Sequence, residues 1–119
     1  MSRKSRNPRS AKSRAHAPIF AALGDSTRLA LVARLSRGDL CSIAQLTEGS
    51  RLTRQAITKH LRVLEHAGIV QGTRRGRESV FAFNPEPLEE LKSYLDLVSE
   101  QWDQTLARLK SFVEDEPSP

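Results

Sequence analysis

The amino-acid sequence predicts a mainly α fold that carries one small β-hairpin. Three observations predict it. Residues 52–70, LTRQAITKHLRVLEHAGIV, place Ile57, Leu61 and Leu64 four and three residues apart, the spacing of one helix face. Ile69 to Arg74 and Ser79 to Phe83 are rich in β-formers and flank Arg75-Gly76-Arg77, a hairpin turn. From Leu88 to Val113, apolar residues recur at 88, 91, 95, 98, 102, 106, 109 and 113, always three or four apart. A two-faced helix leading into a basic hairpin is the arrangement of a winged helix-turn-helix, here expected to be dimeric through its C-terminal helix.

The elements follow in order. Residues 1–14 are Ser, Arg, Lys, Pro and Asn with almost nothing apolar, and are expected to be a disordered basic tail. The domain is expected over residues 15–113. Ile19, Phe20 and Leu23 sit at helical spacing in a short helix from Ala15, which Gly24 breaks. Asp25 or Ser26 can cap a second helix from Thr27 to about Arg37, with Gly38 as its stop. Ser42-Ile43-Ala44-Gln45 is a capping-box pattern that opens a short helix ending near Thr47. Glu48-Gly49-Ser50 makes the turn, and Thr53 can cap the next helix, to about Ala67.

Beyond the hairpin, Pro85 and Pro87 mark a new start, and the final helix runs over about 86–113. It spans roughly 40 Å at 1.5 Å per residue. So small a domain cannot cover a stripe that long, whereas a second copy of the same helix can. That packing would bury Leu95, Val98, Trp102, Leu106 and Leu109. Residues 114–119 form an acidic tail.

Composition agrees. The chain has 119 residues, of which 38% are hydrophobic, enough for one small domain with a modest core. No stretch approaches the ~20 apolar residues of a transmembrane helix, and the basic N-terminus lacks the apolar core of a signal peptide. The single cysteine, Cys41, rules out an internal disulfide framework and fits a reducing cytoplasm. The net charge of +5 is unevenly placed. Residues 51–77 carry Arg51, Arg54, Lys59, Arg62, Arg74, Arg75 and Arg77 against Glu65 alone, whereas the C-terminal helix is acidic. One face is therefore suited to a polyanion and the other to protein or water.

The polar side of residues 53–62 carries donors and acceptors suited to base edges and phosphates. Arg54 and Gln55, in the first turn, can each pair with a base in two places, as Arg does with guanine and Gln with adenine. Thr58 and Lys59 lie one turn on, and Arg62 is placed for a phosphate. Thr53 heads this face, and His60 borders it, positioned for a phosphate or for covering the helix surface. Arg74, Arg75 and Arg77 would straddle the backbone or enter the minor groove. The expected partner is double-stranded DNA.

On these residues the chain resembles the ArsR family of bacterial winged-helix repressors, from about residue 16 to residue 112. The segments that carry the likeness are FAALGDSTRLALVARL (20–35), SIAQL (42–46), LTRQAITKHLRVLEHAGIV (52–70) and RRGRESVFAFNPEPL (74–88). Ser26 stands where the family commonly has Pro. The Trp102-x-x-x-Leu106-x-x-Leu109 ending resembles a metal-independent branch. The resemblance implies a homodimer built by the N- and C-terminal helices, with Ile19 and Phe20 contributing from the first. It also implies that the fourth helix reads DNA.

Metal sensing is common among such proteins, and the residue types argue against it here. The family's thiolate site has two cysteines one residue apart; Cys41 matches the first, but Ile43 stands at the second. One thiolate cannot build the three- or four-ligand site that a soft metal needs. The C-terminal helix has Asp96, Glu100 and Asp103 but no His. No metal and no cofactor are expected. Cys41 could instead serve as a redox switch, or simply pack beside the motif. No catalytic set or phosphate loop is present, so an enzyme is not expected. The sequence thus points to a homodimeric repressor on an inverted-repeat operator, with an architectural protein lacking sequence preference as the alternative.

Overall fold

A computed structural model describes the backbone of residues 8–115 and the side chains of residues 15–115. Five helices and three strands follow one another: α1 (Pro8–Leu23), α2 (Ser26–Leu35), β1 (Cys41–Ser42), α3 (Ile43–Thr47), α4 (Arg54–His66), β2 (Val70–Arg75), β3 (Glu78–Phe83) and α5 (Glu86–Asp115). The strands form one antiparallel sheet in the order β1-β3-β2.

The expected mainly α architecture with a β-hairpin is present, with two differences. Helix α1 begins at Pro8, so residues 8–14, expected to be disordered, are helical. Pro suits a first helical position, and Arg9, Ala11, Lys12 and Arg14 are good helix formers. Once the packed end of the helix exists, adding residues to it is easier than nucleating a new one. The rest of the expected tail, residues 1–7, and residues 116–119 lie outside the described residues. The second difference is β1, which makes the sheet three-stranded. Two residues have no readable period. Cys41 and Ser42 become a strand because β3 offers Phe81 and Val80 as partners.

The core lies where α1, α2, α3 and α4 meet the sheet. Leu35, Ile57, Leu61, Leu64 and Ile69 are its largest fully buried side chains, joined by Leu31, Val32, Leu46, Val70 and Phe81. All three apolar positions of the two-faced helix are among these residues, so α4 is anchored along its whole inner face.

Caps define the helix ends. Asp25 accepts the Arg28 N–H at 3.0 Å and starts α2. Ser42 accepts the Gln45 N–H at 3.1 Å while Gln45 Oε1 accepts the Ser42 N–H at 2.8 Å, completing the expected capping box of α3. Thr53 accepts the Ala56 N–H at 3.1 Å and starts α4.

Helix α5 leaves the body of the molecule. Leu91 is its one buried residue, and Leu88 packs partly on the core. On the α1 side, Tyr94 meets the rings of His16 and Phe20 at centroid distances of 4.9 and 6.3 Å. Beyond that point the helix projects, and the radius of gyration of 20.2 Å exceeds the roughly 14 Å of a compact domain this long.

Candidate nucleic-acid interface

Helix α4 separates its two faces cleanly. Ile57, Leu61 and Leu64 are buried, while Arg54, Gln55, Lys59 and Arg62 are exposed. Thr58 is half-buried, and its hydroxyl donates to the Arg54 carbonyl at 2.7 Å, which leaves the oxygen able to accept. Thr53 is exposed, but its oxygen is committed to the helix cap. Its first duty is therefore to start the helix that presents Arg54 and Gln55.

The hairpin is closed by Arg75 and Glu78, leaving Gly76 and Arg77 as the two-residue turn. Gly76 has φ +61°, the first-position geometry of a turn whose twist suits a hairpin. Arg75 is thus the last residue of a strand, and only Arg77 belongs to the turn. Arg74, Arg75 and Arg77 are all exposed. Among the described residues, none of Arg54, Lys59, Arg62, Arg74, Arg75 and Arg77 is held in an ion pair with a carboxylate.

His60 does not belong to this face. It is half-buried, turned toward the start of α2, with Nδ1 3.2 Å from Arg28 Nη1 and 3.8 Å from Asp25 Oδ2. Arg28 also donates to the carbonyls of Ala22 (2.6 Å) and Ala21 (3.4 Å) at the end of α1. One guanidinium thereby ties α1, α2 and α4 together. This packing favours covering the helix surface, the other role open to His60 in the sequence, over a phosphate contact. Spacing along α4 put His60 at a border, and only its packed neighbours decide to which side it turns. Asp25 completes the cluster. The Arg28 N–H, above all, holds its carboxyl below the ordinary value, with the Arg28 and His60 charges acting the same way against partial desolvation.

A second tie joins helix to hairpin. Glu65 Oε2 accepts the Gly72 N–H at 3.2 Å. In the sequence, Glu65 is only the lone acid of a basic segment.

The residues expected at a dimer interface fall into two groups. Leu95, Trp102, Leu106 and Leu109 are exposed and Val98 is half-buried, on one stripe of α5. Phe20 is 40% exposed beside Tyr94. Ile19 is corrected: it is 8% exposed and part of the chain's own core. In α1 it faces the body of the domain, and its neighbour Phe20 faces outward.

Cys41 is buried in β1, its thiol 3.9 Å from the Asp39 carbonyl. Burial among apolar neighbours marks a packing residue more than a reactive one. Among the described residues, no group of three or more His, Cys, Asp or Glu side chains is placed to hold a metal ion. No helix among them is long and apolar enough to cross a membrane.

A short helix, a turn, a second helix with an outward polar face, and a hairpin beside it define the class of winged helix-turn-helix DNA-binding proteins. A helix-turn-helix domain model matches residues 23–73. The chain is 46% identical over 79 residues to the HTH-type transcriptional regulator YuzN of Bacillus subtilis, covering 61% of this chain and 86% of that protein. It is 30% identical over 106 residues to the arsenic resistance transcriptional regulator ArsR1 of Pseudomonas putida, covering 85% and 82%. An ArsR-like transcriptional regulator from Rhodococcus sp. RHA1 superposes with a TM-score of 0.78 at 30% identity, over 91% of this chain and 98% of that one. The homodimeric winged helix-turn-helix domain Mb0332 of Mycobacterium bovis shares the fold, with a TM-score of 0.62 at 19% identity over 85% and 92%. The chain belongs to the ArsR family of winged helix-turn-helix transcriptional regulators.

Proposed function

We propose that the protein is a homodimeric repressor that reads an inverted-repeat operator. The observation that carries this reading is the outer face of α4 and the hairpin. It presents six cations and Gln55, exposed, with no carboxylate paired to any of the six among the described residues. A polyanion is the partner such a face lacks. Arg54 and Gln55, in the first turn of a helix fixed from behind by Ile57, Leu61 and Leu64, read base edges in the major groove. Thr58 and Lys59 support that reading, Arg62 takes a phosphate, and Arg74, Arg75 and Arg77 hold the flanking backbone.

The dimer reading rests on the uncovered stripe of α5. Trp102, Leu106 and Leu109 are 60%, 55% and 58% exposed, a row of large apolar side chains that a lone domain would leave in water. A second copy of α5 covers it, with Phe20 at the margin. That the Mycobacterium bovis domain of this fold is a homodimer supports the same arrangement. Two reading helices related by a two-fold axis call for half-sites about 34 Å apart. Occupying a promoter then blocks polymerase. The lone buried Cys41 gives no set of metal ligands, which favours an effector other than a thiolate-bound metal.

The test is selection of bound duplexes from a random pool, followed by competition at fixed salt. An inverted repeat is expected, with Arg54→Ala and Gln55→Ala each lowering affinity for it by about 1–3 kcal/mol while hardly changing the weaker binding to mixed sequence. Equal losses on every sequence would leave only an architectural DNA-binding protein.

A further inference from the structure

We propose that Glu65 is a positioning residue for the DNA interface: it latches the hairpin to the reading helix at the spacing both need to contact one duplex. The inference rests on the DNA-binding face proposed above. Glu65 is the one acid between Arg51 and Arg77, and it stands in the last turn of α4. Both placements are unfavourable. A carboxylate at a helix C-terminus opposes the helix dipole, and one beside a DNA-facing surface repels phosphate. Its geometry supplies the reason. Strand β2 is an edge of the sheet. In a hairpin closed at Arg75 and Glu78, the antiparallel alternation puts the hydrogen-bonded pairs at 75/78, 73/80 and 71/82. The Gly72 N–H therefore points off the open edge, and the Glu65 carboxylate accepts it at 3.2 Å.

The approach is close enough that any side chain at 72 would have to displace its neighbours. A Cβ on Gly72 would lie 2.9 Å from Glu65 Oε2 and 2.8 Å from Phe81 Cε2. Around this bond, Thr58 and Arg62 of the helix and Arg74 of the hairpin line one cleft of about 210 Å³. The latch thus spans the gap between the two groups of proposed phosphate contacts.

The charge and the latch predict opposite signs, which makes the inference testable on the full chain with the selected duplex. Glu65→Ala lowers affinity about three- to tenfold at 0.15 M salt and makes the dependence of log K on log salt shallower by about 1–2, as hairpin phosphate contacts are lost. Glu65→Asp keeps the charge but cannot reach Gly72, and behaves as Glu65→Ala does. Glu65→Gln keeps an acceptor oxygen, and its salt slope stays as in the parent with equal or higher affinity. Arg74→Ala lowers the slope by about 1 in the parent and much less in Glu65→Ala. Hydrogen exchange at the Gly72 amide speeds up in the Ala and Asp variants and not in Gln; thermal melts confirm that each variant is folded at the assay temperature. Tighter binding by Glu65→Ala at an unchanged slope would overturn the latch, since that is the outcome of removing a repelling charge. If Arg74→Ala weakens binding while Glu65→Ala and Glu65→Asp do not, the latch alone fails. If Arg74→Ala changes nothing, the hairpin is outside the interface and the latch has nothing to position, whereas the repressor reading stands or falls on Arg54→Ala and Gln55→Ala.

Discussion

His60 Nδ1 lies 3.2 Å from Arg28 Nη1, across the junction between α4 and the start of α2. Arg28 can only donate, so in this contact the imidazole nitrogen is the acceptor. The same guanidinium satisfies the Ala22 and Ala21 carbonyls at the end of α1. Arg28→Ala leaves two helix-end carbonyls and one imidazole nitrogen without that donor. A loss of about 1–3 kcal/mol in urea unfolding is expected. His60→Ala is expected to cost less, because the two carbonyl bonds remain. DNA affinity of His60→Ala, measured on folded protein, should stay near the parent value. A loss comparable to that of Lys59→Ala would return His60 to the interface.

Asp25 makes this junction pH-sensitive. Its carboxyl titrates below the ordinary value of an aspartate, chiefly because the Arg28 N–H bonds the ionised form. A depressed folded-state pKa stabilises the fold above the unfolded value, and that contribution disappears as pH falls through the folded value. The melting temperature of Asp25→Ala should therefore lie below that of the parent at pH 5, with the gap closing toward pH 3. A gap that stays constant over this range would show that the ionised carboxylate is not what matters.

Thr53 separates helix capping from DNA contact. Its oxygen accepts the Ala56 N–H at 3.1 Å. Thr53→Ala should cost about 1 kcal/mol of stability, and Thr53→Ser or Thr53→Asp should restore most of it. For DNA binding, Thr53→Ser is the informative variant, since it keeps the hydroxyl and removes only the methyl. Parent-like affinity is expected.

In the proposed dimer, the α5 stripe decides the oligomeric state. Trp102→Ala combined with Leu106→Ala should convert dimers to monomers in sedimentation velocity and weaken operator binding much more than binding to mixed sequence. Ile19→Ala provides the contrast. It should lower stability by about 2–4 kcal/mol through a core cavity and leave a folded dimer at low temperature. Dimers that persist in the double variant would mean that another surface joins the copies.

The elements with a long period were legible in the chain. Ile57, Leu61 and Leu64 recur at helical spacing and are all buried, and the Ser42–Gln45 capping box is present. Local chemistry decides such features, because each depends on residues three or four apart. The apolar steps of α5 likewise foretold a stripe that the single chain leaves exposed. Contacts distant in sequence were not legible. The β1 strand exists because Phe81 and Val80 lie beside Cys41 and Ser42, some forty residues away in the chain. The inward turn of His60 depends on Arg28, 32 residues earlier. Ile19 and Phe20, adjacent in the chain, part company because packing gives one the core and the other the surface. Glu65 read as a stray charge until the hairpin folded back to set Gly72 against it. Spacing along the chain dictates which side chains share a face. Which neighbour that face meets is a long-range matter, set by the packing of the whole core, and that packing brings the hairpin to the helix it serves.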